Sequence, residues 1–395
     1  MKIVILSIIT LLSAFQLKAK NDQVTVVISL DGFRWDYPQW YNTPFLDRMA
    51  AEGVEASLIP SFPSKTFPNH YTIVTGLYPD RHGIIANSFL CRSTGQVFSL
   101  SDAEASQNPK YYGGEPIWLT AQRQGLRTAV FYWPGSDVAV GGKYPDKYLD
   151  YSQEPRLTFE ERIDGVISQL KLPPSERPDL IMAYFEQPDH NGHTHGPQAK
   201  ETRLAVMEMD QLIGRLYERI RELPVGGNVN LIVLSDHGMT HTLKEKRVPV
   251  SKYLKKEWYE TVIGDVPANI YAREGCADSI CFALQKADHV LAWKRADIPA
   301  YLHYGSNANV GDVVVSPDLG WLFTDSEVTH GGMHGFDPSY NDMHALFRAV
   351  GPAFRNVSHS RFPNVDVYPL LCHLLGIEPS SNDGSLDDVR DMLAF

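Results

Sequence analysis

Three apolar runs in this chain end in groups that can hold a metal ion. Asp31 follows Ile28-Ser29-Leu30, Asp189 follows Tyr184-Phe185-Glu186-Gln187-Pro188, and Asp236-His237 follow Val233-Leu234-Ser235. Carboxylates at the carboxyl ends of parallel strands lie where open α/β sheets bind ligands. One such Asp is often only a helix N-cap; three of them, with histidines attached, call for another explanation. Asp189 and His193 are four positions apart, within reach of one ion on a turn or helix start. His330 to Gly335 places His334 among glycines, which permit close backbone approach. Oxygen and imidazole ligands without thiolate suit zinc best, with manganese or iron as less suited occupants.

The segment Ser61 to Asp80 contains Thr66 followed by Pro68, the pattern of a helix start with proline in the first turn. A threonine there sits where backbone amides and the helix dipole favour an alkoxide or a phosphate. The alternative is a plain threonine N-cap.

The elements that must position these groups are legible. Buried strands are expected at 24–30, 127–133, 179–185, 228–234 and 343–350, and helices at 43–51, 66–76, 116–124, 159–172, 198–223 and 365–375. Strands alternating with helices predict an α/β fold: a central, mostly parallel sheet with helices on both faces. From about 244 to 323 the pattern loosens into short strand-like pieces with several aromatics, read as a small inserted lobe.

Composition bounds the function. The chain has 395 residues, with Asp+Glu 47 against Lys+Arg 36 and a formal charge of -11. That balance excludes a broad binder of nucleic-acid backbone, whose footprint is basic. It leaves a small anionic substrate open, because bound metal inverts local charge. Lys2 and the apolar run Ile3 to Phe15 read as an export signal over 1–20, too short for a spanning helix of about 20 residues. Four cysteines, Cys91, Cys276, Cys281 and Cys372, are too few for a disulfide framework; Cys276 and Cys281 could close a small loop or stay as thiols.

Taken jointly, these stretches resemble the nucleotide pyrophosphatase/phosphodiesterase family of the alkaline phosphatase superfamily. The matching pieces are Ile28 to Arg34, Lys65 to Tyr71, Val74 to Pro79, His82 to Asn87, Trp133 to Asp137, Pro188-Asp189 with His193, Ser235 to Met239 and Met333 to Asp337. They run in order over about residues 24 to 376. The resemblance implies two zinc ions. Asp189, His193 and His334 match the ligands of one; Asp31, Asp236 and His237 match those of the other, with the Thr66 oxygen as a further ligand. It implies that Thr66 is the nucleophile, that Asn87 holds phosphoryl oxygens, and that Phe67 stacks on a nucleobase. The second stacking tyrosine of the family falls just before Phe159 to Ile163, which points to Tyr151. Lys65 matches a supporting substrate contact.

The resulting expectation is a secreted, periplasmic phosphodiesterase/pyrophosphatase that releases nucleoside 5′-monophosphates through a threonyl-phosphoryl intermediate. It would be a single catalytic domain over 21–395 and a monomer by default, with no duplex nucleic acid and no membrane span among its partners. Substrate choice is expected to lie on the Phe67 side and in the 244–323 lobe. Alternatives on the same scaffold are a glycerophosphocholine or lysophospholipid phosphodiesterase and a phosphomonoesterase. A sulfatase would need a Cys-x-Pro-x-Arg pattern, and Thr66 to His70 lacks both its Cys and its Arg. A catalytically silent metal-binding protein is the alternative from another class.

Overall fold

The computed structural model describes residues 23–394. The expected leader at 1–20 lies outside the described residues. Strand β1 (Val24–Leu30) is buried along its whole length and sits near the middle of a nine-stranded sheet. The other principal strands of that sheet are β2 (Val54–Ile59), β3 (Thr128–Phe131), β4 (Lys147–Leu149), β5 (Leu180–Phe185), β6 (Val229–Leu234) and β11 (Ala345–Val350). Their order is β2-β11-β6-β1-β5-β3-β4, with Val357–Ser358 and Phe362–Pro363 added beside β2. Strand β1 pairs in parallel with both β5 and β6, and β11 runs antiparallel to β6 and β2. The sheet is therefore mostly parallel, as the alternating pattern predicts.

Alternation along each strand sends side chains to two covered faces. Val27, Val130, Met182 and Ile232 enter one core, against α2 (Thr66–Thr75), α3 (Ile117–Arg123) and α8 (Val367–Leu375). Val26, Ile28, Ile181 and Val233 enter the other, against α1 (Pro44–Glu52), α4 (Phe159–Leu170) and α6 (Lys200–Arg221). Helix α4 starts at a full capping box, in which Thr158 and Glu161 each accept the other's backbone N–H. A short helix, α5 (Asp189–His195), follows β5 directly.

Strand β2, the short strand β4 and a hairpin lie outside the elements expected from sequence. Strand β2 carries a buried-exposed alternation over only six residues, and the hairpin Ser88–Cys91 with Gln96–Ser99 is shorter still. Within 244–323 the chain builds a separate antiparallel sheet from β7 (Tyr259–Ile263), β8 (Ala268–Ala272), β9 (Val290–Lys294) and β10 (Val313–Pro317), in the order β7-β8-β10-β9. Helix α7 (Ala277–Leu284) packs on it around Ile270, Ile280, Leu284 and Val315. All four cysteines are free thiols; Cys276 occupies the N-cap position of α7 without a side-chain cap bond, and Cys281 lies within the helix.

Candidate active site

Adjacent parallel strands in register deliver the first ligands. Ser29 lies beside Tyr184 on one side and Leu234 on the other, so the chain leaves β1, β5 and β6 at the same edge. Beyond that edge the Asp31 N–H donates to Phe185 O at 2.9 Å, and the Asp189 N–H donates to Asp31 O at 3.0 Å. Gly32, at φ +64, lets the two turns touch: a Cβ there would lie 2.8 Å from the Asp189 Cβ. The Gly32 N–H donates to Asp236 Oδ1 at 3.2 Å, which ties the third turn to the first.

Two clusters result, Asp31 with Asp236 and His237, and Asp189 with His193 and His334. In the first, His237 Nε2 is 3.4 Å from Asp31 Oδ1 and 3.0 Å from Asp236 Oδ2. In the second, Asp189 Oδ1 is 3.5 Å from His193 Nε2 and 3.6 Å from His334 Nε2. The rings of His237 and His334 stack at 3.5 Å, so the clusters share a wall.

The donor chemistry fits a cation in each cluster. His237, His193 and His334 each direct Nδ1 at a backbone carbonyl, that of Gly238, Gly332 and Ser64, at 2.8, 3.0 and 2.8 Å. A carbonyl only accepts, so each Nδ1 carries a proton and each Nε2 is turned into its cluster, the arrangement that orients metal-ligating histidines. The Nε2 atoms of His193 and His334 face each other at 3.0 Å. Asp31 Oδ1, Asp189 Oδ1 and Asp236 Oδ2 are buried without a hydrogen-bond partner. An orphaned buried carboxylate oxygen is costly unless a cation meets it.

Burial would lower the His237 imidazole, but Asp236 beside it raises it above its ordinary value. Burial, reinforced by Asp236 and Asp189, pushes the Asp31 carboxyl well above the usual carboxylate range. Burial would raise Asp236 too, but His237 and His70 facing it hold it below that range. Burial and the neighbouring His237, Lys65 and His193 push His334 well below an ordinary imidazole, which leaves it neutral and free to ligate.

Thr66 is the first residue of α2. Lys65 takes the N-cap position and makes no side-chain cap bond, so the plain N-cap alternative for Thr66 does not hold. Its Oγ1 instead lies 3.1 Å from His237 Nε2. The backbone beneath is braced by His70, whose Nδ1 donates to Thr66 O at 2.9 Å and whose Nε2 meets Ser29 Oγ at 2.8 Å. The Phe67 N–H donates to Asn87 Oδ1 at 3.0 Å. That bond occupies the amide oxygen and leaves the Asn87 NH₂ to donate elsewhere.

A cleft of about 720 Å³ opens over these groups. Thr66, Asn87, Asp31, Asp189, His193 and His334 line it with the reactive groups, and Phe67 and Tyr151 are also among its walls. Asp236 and His237 lie beneath, with no exposed surface. Two expectations fare differently. Lys65 is not among the lining residues; its stem fills the space a side chain at Gly335 would need, and its ammonium lies 3.6 Å from Met333 Sδ. No residue of 244–323 lines the cleft either, so the lobe is not its wall. The lining also includes Tyr184, Glu186 and Asp137, which sequence reasoning did not assign. Tyr184 pairs in register with Ser29, two residues before Asp31, and its hydroxyl donates to Asp31 Oδ2 at 2.5 Å.

A mostly parallel sheet with carboxylate and imidazole clusters at its carboxyl edge defines an α/β scaffold of the alkaline-phosphatase-like kind. Murine ectonucleotide pyrophosphatase/phosphodiesterase 5, solved as an inactive threonine-to-alanine form in complex with AMP, shares this fold with a TM-score of 0.89 at 34% identity, covering 94% of this chain and 100% of that one. The sequence model for type I phosphodiesterase / nucleotide pyrophosphatase matches residues 25–337, and the chain belongs to that family. Family member 5 of the ectonucleotide pyrophosphatase/phosphodiesterases from Homo sapiens is 34% identical over 395 residues, which is 98% of this chain and 82% of that protein. Family member 3 from Bos taurus is 36% identical over 385 residues, 93% of this chain but 44% of the relative, so the chain spans under half of that protein's length. No helix among the described residues is long and apolar enough to cross a membrane.

Proposed function

We propose that this chain hydrolyses phosphodiester or pyrophosphate bonds of nucleotides and releases nucleoside 5′-monophosphates. The observation that carries the reading is the placement of Thr66 Oγ1, 3.1 Å from His237 Nε2 at the N-terminal tip of α2 and among the reactive groups of a cleft lined also by Phe67 and Tyr151. Family membership supports it, as does the AMP bound to a solved relative whose inactivating change is a threonine to alanine.

Asp31, Asp236 and His237, with Thr66 Oγ1, would hold one zinc ion, and Asp189, His193 and His334 a second. Bound zinc supplies Lewis acidity, which lowers the pKa of a coordinated hydroxyl and neutralises charge on phosphoryl oxygens. Thr66 Oγ attacks phosphorus in line, the P–O bond to the leaving group breaks, and a threonyl-phosphoryl ester forms. Water then cleaves that ester, returning Thr66 and releasing the monophosphate. Asn87, its oxygen held by the Phe67 N–H, donates its NH₂ to the phosphoryl oxygens as charge develops. Phe67 and Tyr151 take the base by stacking. Residues 21–395 act as one catalytic unit, monomeric, exported through the 1–20 leader and working in the periplasm.

The deciding experiment compares purified, zinc-loaded protein on nitrophenyl esters of a nucleoside 5′-monophosphate and of phosphocholine. Preference for the nucleotide ester is the expected result. Preference for phosphocholine overturns the substrate assignment and leaves the threonine chemistry standing.

A further inference from the structure

The lobe of residues 244–323 lines no part of the cleft, yet two of its tyrosines reach the segment that carries Asn87. We propose that Tyr304 and Tyr271 are positioning residues: the lobe is a strut that holds the Ile85–Leu90 turn, and with it Asn87, at a set distance from Thr66. The inference rests on the reading of Asn87 as the group that holds phosphoryl oxygens.

Tyr304 is 6% exposed, and its hydroxyl donates to Ile85 O at 3.1 Å. Its ring packs edge to face on Phe62 with centroids 5.2 Å apart. Phe62 lies in the loop leading to Thr66 and Ile85 in the turn leading to Asn87, so one side chain touches both approaches to the site. Tyr271 is 1% exposed and grips the far end of the turn. Its hydroxyl accepts from the Leu90 N–H at 2.9 Å and donates to Asn309 O at 2.9 Å, which commits the O–H proton and fixes the phenol.

The contact continues outward. Asn309 Oδ1 accepts from the Arg92 N–H at 3.0 Å, and Arg92 pairs with Asp312 at 2.9 Å while its guanidinium lies over the Tyr271 ring. Asn307 Nδ2 donates to Asp80 O at 3.0 Å on the other flank. The lobe therefore holds this region at Asp80, Ile85, Leu90 and Arg92. Asn87 lies between the middle two, and its side chain is the link to the Phe67 N–H. A displacement of about 1 Å at a catalytic group can cost on the order of 100-fold in rate, so loss of one grip is legible in turnover.

The test is a double-mutant cycle on the nucleotide nitrophenyl ester. Tyr304→Phe and Tyr271→Phe, which remove only the hydroxyl, are each made in the native chain and in Asn87→Ala. The expected result is a fall in kcat of about 5- to 20-fold for each phenylalanine variant, with KM changed less than about twofold. In the Asn87→Ala background the same substitutions leave kcat unchanged, because the group they position is gone. Equal losses in both backgrounds, or no loss in the native one, overturn the strut. If Asn87→Ala alone leaves turnover intact, the reading of Asn87 fails first and the strut falls with it. Amide exchange gives a second measure: Tyr271→Phe is expected to speed exchange at Leu90 without lowering the melting temperature by more than a few degrees. Unchanged exchange there counts against the strut.

Discussion

The Tyr184 hydroxyl donates to Asp31 Oδ2 at 2.5 Å, while Oδ1 of the same carboxylate faces His237 Nε2 at 3.4 Å. One oxygen is thus held by a neighbouring strand and the other is aimed at the cluster. Outer partners of this kind typically raise metal affinity 10- to 100-fold. Tyr184→Phe is accordingly expected to weaken zinc binding by about 10-fold or more, read by competition with a chromophoric chelator. Unaltered affinity would show that Asp31 is oriented without Tyr184.

Thr66→Ala is expected to abolish turnover and keep the fold. Because Lys65 and not Thr66 is the N-cap, the substitution removes no capping bond, and its stability cost is set at within about 1 kcal/mol. Zinc content by elemental analysis should remain near that of the native protein, since the three stronger ligands of that cluster are untouched. An active alanine variant would exclude Thr66 as nucleophile.

The two aromatic residues separate base recognition from chemistry. Base–aromatic stacking contributes about 1–3 kcal/mol per base, so Phe67→Ala and Tyr151→Ala should each raise KM for the nucleotide ester by about 5- to 150-fold. Turnover of bis(nitrophenyl) phosphate, which has no nucleobase, should change far less. Comparable losses on both substrates would instead place these rings among the reactive groups.

His82 provides a pH signature away from the metal clusters. It is fully buried, accepts from the Ile84 N–H at Nδ1, and meets Thr72 Oγ1 at 3.0 Å through Nε2. Burial lowers its pKa to about 3. In the unfolded chain it titrates near 6.5, so between these values the unfolded state binds the extra proton. Its contribution is complete above about pH 6.5 and is lost as pH falls toward 3, a total on the order of 5 kcal/mol. Denaturant unfolding of chelated protein at pH 8, 6 and 4.5 reads this out. The stability difference between native chain and His82→Gln should be largest at pH 8 and shrink on acidification; a difference constant with pH would refute the assignment.

Much of this protein was readable in one dimension. The runs ending at Asp31, Asp189 and Asp236 are continuous and apolar because both faces of a parallel sheet are covered, and that burial is written locally in residue type. The same locality exposed the helices, the start of α2 and the spacing of Asp189 and His193. Short, half-exposed elements were less legible: β2 alternates over only six residues without a continuous apolar run, and each hairpin strand after Asn87 has four.

Sequence by itself determined the fold class and the family resemblance, because these depend on side-chain type, local spacing and the order of motifs; the two ligand sets, whose members lie far apart in the chain, followed from that resemblance. Only the tertiary structure decided that Tyr184 supports Asp31, that the Lys65 stem packs on Gly335 with its ammonium at Met333 Sδ, and that the 244–323 lobe meets the Asn87 turn and lines no part of the cleft. Those outcomes join positions far apart in the chain. They follow from how strands and loops pack in space, a relation that residue type and local spacing do not encode.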